Sequence, residues 1–161
     1  SSAGKRVISL TLLSTLADTS GNTRQFFLGL SNRDWYQRLI GHPVHGPALA
    51  RVALFGRTPS RQMVNDALEL GQRCPTPHRI DASLGLLQYD IRGLLPLIDL
   101  PTTVVCGVND LLTTQSENKR IADLIPSAEM ISVTQAGHMF IWESPEQITE
   151  AILQNVHTVT G

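Results

Sequence analysis

Two residues of the chain have the types and the setting for acid–base chemistry. Asp110 closes the stretch "CGVND" and His138 sits in "QAGHMF", each after a short apolar run. A carboxylate hydrogen-bonded to one imidazole nitrogen fixes the tautomer, and it stabilises the imidazolium when the other nitrogen takes a proton. Such a pair is general-base machinery awaiting an alcohol or a thiol. The plain alternatives are an Asp that merely caps a helix and a His that is incidental in its loop. Their joint placement, in G-x-x-D and G-H contexts after consecutive strands, favours the pair. Gly137 is expected to make the tight turn that aims the His138 ring over the sheet edge.

The elements that must position these residues are legible. Residues 6–14 ("RVISLTLLS"), 102–107 ("TTVVCG") and 129–134 ("EMISVT") read as buried parallel strands, being short, β-branched and apolar on both faces. Thr114 and Glu117 form a T-x-x-E capping box ahead of Ile121, Ala122, Leu124 and Ile125, and Pro126 ends that helix. Ser144 caps a last helix, Pro145 takes its first position and Gln147 completes S-x-x-Q. Ile148, Ala151, Ile152 and Val156 fall on one face of it. Strand–helix–strand–helix with short links predicts an α/β fold with a parallel sheet, whose chemistry lies at the carboxyl ends of its strands.

Residues 16–100 read instead as a helical insertion. Met63, Val64, Ala67 and Leu68 share a face between Ser60 and Gly71, and further helices are predicted to start at Asp81 and Asp90. Loops are predicted at "GHPVHGP", "GRTPS" and "RCPTP". Trp35, Tyr36, Phe26 and Phe27 are expected to pack between the insertion's helices rather than line an acyl pocket. Met139, Phe140 and Trp142 suit substrate contact and packing equally. Glu143 reads as a first-turn charge matched to the helix dipole, and Arg24, Arg33 and Arg38 as solvated.

Composition narrows the partners. The 161 residues are 42% hydrophobic and 17% charged with net charge −1, enough chain for one real core. No run of Lys or Arg recommends nucleic acid or an anionic membrane. No apolar stretch approaches the roughly 18 residues of a membrane span, and no basic-then-apolar leader opens the sequence. Cys74 lies in a Pro-rich loop and Cys106 inside a strand, so two cysteines give no disulfide framework and a cytoplasmic setting is expected. Cys106, four residues before Asp110 and inside a strand, is not expected to act as a nucleophile. His42 and His45 have a spacing that could hold a metal on a helix, but Pro43 and Gly46 predict a loop and no third ligand is evident.

The stretch from Leu100 to Val156 resembles the closing part of the α/β-hydrolase fold superfamily, the group of lipases, esterases and epoxide hydrolases. In that superfamily the triad runs Ser, Asp or Glu, then His along the chain. The pattern P-x-x-V-V-x-G-x-x-D, which ends the seventh strand with the acid, matches Asp110. The G-H after the eighth strand matches His138, and "ESPEQITEAI" is similar to the last helix. "KRVISLTLLST" resembles the sixth strand, and "QYDIRGLLPLIDLP" the helix that returns from the lid. The resemblance implies a partial α/β-hydrolase fold of about three parallel strands, the sixth to the eighth, with flanking helices. It assigns 1–15 and 101–161 to the core and 16–100 to a helical lid. It also implies a small-molecule substrate and no metal or organic cofactor.

One part of the pattern is missing. The nucleophile elbow G-x-S-x-G occurs nowhere in the chain, nor does an HGGG-type oxyanion segment. The superfamily places the elbow before the sixth strand, which here falls ahead of Ser1. The expectation is therefore a carboxyl-terminal fragment that supplies acid and base, lacks the amino-terminal half of the fold, and is inactive and poorly soluble alone. The intact enzyme would cleave a small ester, amide or similar bond. Two alternatives stay open: an Asp-nucleophile relative of the epoxide hydrolases and dehalogenases, and a non-catalytic binding or assembly module.

Overall fold

The computed structural model describes residues 7–19 and 33–160, with side chains through 158. Residues 1–6 of the first core segment lie outside the described residues, as do Arg24, Phe26 and Phe27 of the insertion. In chain order the elements are β1 (Leu10–Leu13), α1 (Asp34–Ile40), α2 (His45–Leu54), α3 (Arg61–Arg73) and α4 (Thr76–Leu86). A 3-10 turn at Leu95–Leu97 follows, then β2 (Thr102–Gly107), α5 (Gln115–Leu124), β3 (Ala128–Val133), α6 (Phe140–Glu143) and α7 (Pro145–Thr160).

The three strands form one parallel sheet in the order β1-β2-β3, with Leu12 beside Val104 and Val104 beside Met130. The expected α/β class and parallel sheet are therefore present. Burial is less uniform than the apolar runs imply. All of β2 is buried, β1 is half-buried throughout, and β3 exposes Glu129 and Ser132. Among the described strands only β2 has a strand on each side and a packed layer on each face. Its alternating side chains feed two cores. Val105 packs with Val133, Phe140, Ile148 and Ala151 under α6 and α7, and Val104 packs with Ala17, Leu95, Ile121 and Ile125 under α5.

Local signals hold best around the sheet. The Thr114–Glu117 capping box forms, with Thr114 N–H donating to Glu117 Oε2 at 2.8 Å, and α5 stops at Leu124 ahead of Pro126. The last helix starts at Pro145 as expected. Its buried stripe is Ile148, Ala151 and Asn155, whereas Ile152 is exposed. Asn155 replaces it because the helix crosses polar atoms of β1: its amide donates to the Leu10 carbonyl at 2.8 Å and to Thr11 Oγ1 at 3.0 Å.

Of the expected insertion, the described residues 34–86 are mostly helical, with different boundaries. Ser60 caps α3 by accepting from Met63 N–H at 3.1 Å, but the helix continues through Gly71 to Arg73. Asp81 caps nothing, since α4 starts five residues earlier, where Pro75 and Pro77 preset the backbone of the first turn. Asp90 starts no α-helix; its Oδ1 accepts Arg92 N–H at 3.0 Å in a local turn, and the chain passes on to the 3-10 turn. "GHPVHGP" is loop only in part, because α2 begins at His45 and its first turn tolerates Pro47. Trp35 is 55% exposed and α1 buries no residue, so the expected packing of Trp35 between helices does not occur. Among the described residues no helix is long and apolar enough to cross a membrane.

Candidate active site

Asp110 and His138 stand at the carboxyl ends of β2 and β3. Beyond β2 the chain turns tightly, Asp110 N–H donating to the Gly107 carbonyl at 3.2 Å. Val108 N–H and Asn109 N–H reach across to the carbonyls of Val133 and Ala136 at 3.0 and 2.9 Å, which locks the Asp loop to the His loop. The result is a contact of 3.0 Å between His138 Nδ1 and Asp110 Oδ2. The Asp110 side chain is fully buried while the His138 side chain is 28% exposed.

The carboxylate is densely solvated by protein. Oδ2 also accepts from Ser14 Oγ at 2.8 Å and Thr113 Oγ1 at 2.6 Å, and Oδ1 accepts the amides of Leu112 and Thr113, both at 2.8 Å. Burial pushes the carboxyl upward, yet the hydrogen bonds from His138 and Thr113 and the charge of His138 outweigh it and hold the carboxyl at about 2. An ionised carboxylate can only accept, so the shared proton sits on Nδ1, and whenever the ring is neutral Nε2 is the nitrogen with the lone pair. That is the arrangement of a base whose tautomer is fixed by its acid partner.

Ser14, Thr113 and Asn118 are site residues that the sequence reading missed. Buried Asn118 accepts Thr15 N–H at 3.3 Å and donates to the carbonyls of Thr113 and Thr114 at 2.9 and 3.1 Å, tying the end of β1 to the Asp loop. Ser14 was visible only as a serine without a glycine frame; its partner lies 96 positions away and no local pattern names it. Backbone in the left-handed region marks the same rim, with φ of 40° at Ser14 and 64° at Gln135. The turn before His138 thus bends at Gln135. Gly137 has a different task from the expected turn, because a Cβ there would run into the backbone of Phe55 and Gly56.

Glu143 also departs from expectation. It is not simply a dipole-matched charge: Oε2 accepts Gly137 N–H at 2.8 Å and Oε1 accepts Gly56 N–H at 2.9 Å. Met139 and Trp142 pack against the insertion's cluster of Ala50, Phe55 and Val64, and Phe140 belongs to the sheet core. Cys106 is fully buried and burial raises its thiol, which suits neither a nucleophile nor a ligand. His42 and His45 stack at 4.4 Å, and His42 Nδ1 accepts the amides of Val44 and His45 at 3.2 and 3.4 Å. Among the described residues no three His, Cys, Asp or Glu side chains gather as a metal site.

The fold of the described residues has counterparts among solved structures. MGS-M2, "an alpha/beta hydrolase enzyme" from a Medee basin deep-sea metagenome library, matches 96% of this chain with 58% of its own at a TM-score of 0.73 and 18% identity. A thermophilic esterase from Thermogutta terrifontis matches 94% with 56% of its own, at 0.75 and 21%. At these identities the likeness is one of fold: the chain carries part of the α/β-hydrolase fold and fits its carboxyl-terminal portion. In sequence, "Putative carbamate hydrolase RutD" of Yersinia enterocolitica is 30% identical over 76 residues, 47% of this chain and 27% of that protein. The chain therefore matches well under two thirds of that relative's length. No family model matches the chain.

Proposed function

We propose that the chain supplies the acid, Asp110, and the base, His138, of a serine-type α/β hydrolase that cleaves a small ester, amide or related acyl bond. The observation that carries this reading is the 3.0 Å contact between a buried carboxylate and a half-open imidazole at adjoining strand ends. A serine on the elbow would attack the carbonyl, its proton passing to His138 Nε2. His138 then returns that proton to the leaving group, and water repeats the sequence to release the acid. Asp110 holds the ring and balances its positive charge throughout.

The nucleophile would come from a segment outside these residues, seated against the edge of β1 that pairs with no other strand among the described residues, where Leu10–Leu13 are only half-buried. Alone, the 161 residues are proposed to be inactive. The test is a p-nitrophenyl ester assay on the chain alone and on the chain joined to an upstream segment bearing G-x-S-x-G. The first should show no turnover. In the second, Asp110→Asn should lower kcat by about 10⁴-fold and His138→Ala by at least as much. Turnover by the chain alone that needs His138 refutes the inactivity; joined-protein turnover indifferent to His138→Ala refutes the assignment of the base.

A further inference from the structure

Glu143 is a feature the acid–base pair does not account for. One oxygen of its carboxylate holds the peptide N–H immediately before His138, and the other holds Gly56, just past α2. Two backbone bonds flank this clasp: Met139 N–H donates to the Leu54 carbonyl at 2.7 Å and Arg57 N–H to the Gln135 carbonyl at 3.0 Å. Residues 54–57 and 135–139 lie so close that a Cβ on Gly56 would run into the Gln135 carbonyl. Behind them Phe55 and Trp142 rest with ring centroids 6.4 Å apart. The base's loop is thus held from both sides, by the Asp loop at the sheet and by the insertion through Glu143.

We propose that Glu143 is a positioning residue for His138, and that through Gly56 it makes the seating of α2 part of what keeps the imidazole on Asp110. The proposal rests on the reading of His138 as the base. Amide bonds to a carboxylate are roughly twice as strong as neutral ones, and a loop bent at a left-handed Gln135 needs such a restraint to stay in one shape. Both restraints meet in one side chain, so a shift of α2 and a shift of the base are one event.

Glu143→Gln tests this at nearly constant size. A glutamine has a single carbonyl oxygen, and its NH2 would face an amide donor, so one bond breaks. Backbone exchange and carbethoxylation of histidines, both read by mass spectrometry on the micromolar chain, report the two ends of the clasp. Exchange over 54–57 and 135–139 should quicken about tenfold or more in Glu143→Gln. His138 should be modified several-fold faster while His42 and His45 keep their rates. Glu143→Asp, a milder change should Glu143→Gln not fold, should fall between. Exposed Glu146→Gln should change nothing, and Ile121→Val, in the core under α5, should lower the unfolding midpoint without altering either rate at the clasp. Wild-type rates in Glu143→Gln or in Glu143→Asp overturn the proposal. Asp110→Asn separates the two readings. If it too leaves His138 modification unchanged, the acid–base pair fails and the positioning role with it. If it accelerates modification while the Glu143 variants do not, the positioning role alone fails.

Discussion

The rim of the sheet and the helices of the insertion are built to different standards. Every residue of β2 is buried, whereas α1 and α4 bury none, and α3 buries only Val64. At the rim the buried Asp110 carboxylate accepts from Ser14, Leu112, Thr113 and His138. The insertion leaves Val44, Val52 and Leu70 more than half exposed. Its helices meet the His138 loop through Phe55, Gly56 and the Glu143 carboxylate, with Met139 and Trp142 packed on Ala50 and Val64, while Ala17 and Leu95 at its two ends join the core under α5. Placement of His138 therefore draws on rigid parts, and the helices of the insertion are secured where they meet the His138 loop. A region so thinly packed opens at lower free energy than the sheet beside it.

The largest effect that would break this contrast is a core truncation. Phe140→Ala removes a fully buried ring from the cluster of Val105, Val133, Ile148 and Ala151. It should cost about 3–5 kcal/mol in urea unfolding, while Leu70→Ala on exposed α3 should stay within about 0.5 kcal/mol. Comparable losses at the two positions would mean that the insertion is packed as firmly as the sheet.

A smaller effect sharpens the contrast through pH. Asp110 is held at about 2 against an ordinary 3.8. The fold therefore favours its charged form. The stability this contributes is fully present above 3.8 and is lost as pH falls through about 2. It is on the order of 2 kcal/mol. Asp110→Asn should flatten that acid limb of the stability profile. Asp90, also held at about 2, sits on the surface beside Arg92, where screening leaves little stability to lose. An acid limb that survives Asp110→Asn would place the titrating group elsewhere.

What was legible in the sequence divides along the same line. The sheet announces itself because β-branched runs, a T-x-x-E box and a Pro at a helix start are local codes, and these fixed the loops that carry Asp110 and His138. The strand ends moved by one residue at β3 and by several at β1, where residues 7–9 lie outside the strand. The insertion misled at Asp81 and Asp90 because an Asp reads as a cap wherever a helix pattern follows, while the decisive punctuation of α4 was Pro75 and Pro77. Ser14, Asn118 and Glu143 could not be found this way. Their partners lie 96, 103 and 87 positions distant, and two of the three address backbone amides, which have no sequence identity at all.

The smallest effect concerns one hydroxyl. Ser60 accepts Met63 N–H at the start of α3, a helix with a single buried residue. Ser60→Ala should cost α3 about 1 kcal/mol. In a uniformly cooperative domain that loss would lower the unfolding midpoint and quicken amide exchange in β2 as much as in α3. In a molecule with a firm rim and a thinly anchored insertion, exchange should quicken severalfold over 61–73 while β2 keeps its rate. The segment 54–57 would be the revealing boundary. It belongs to the insertion by sequence and to the His138 loop by its hydrogen bonds, so if Glu143 joins the two, exchange there should follow that loop rather than α3.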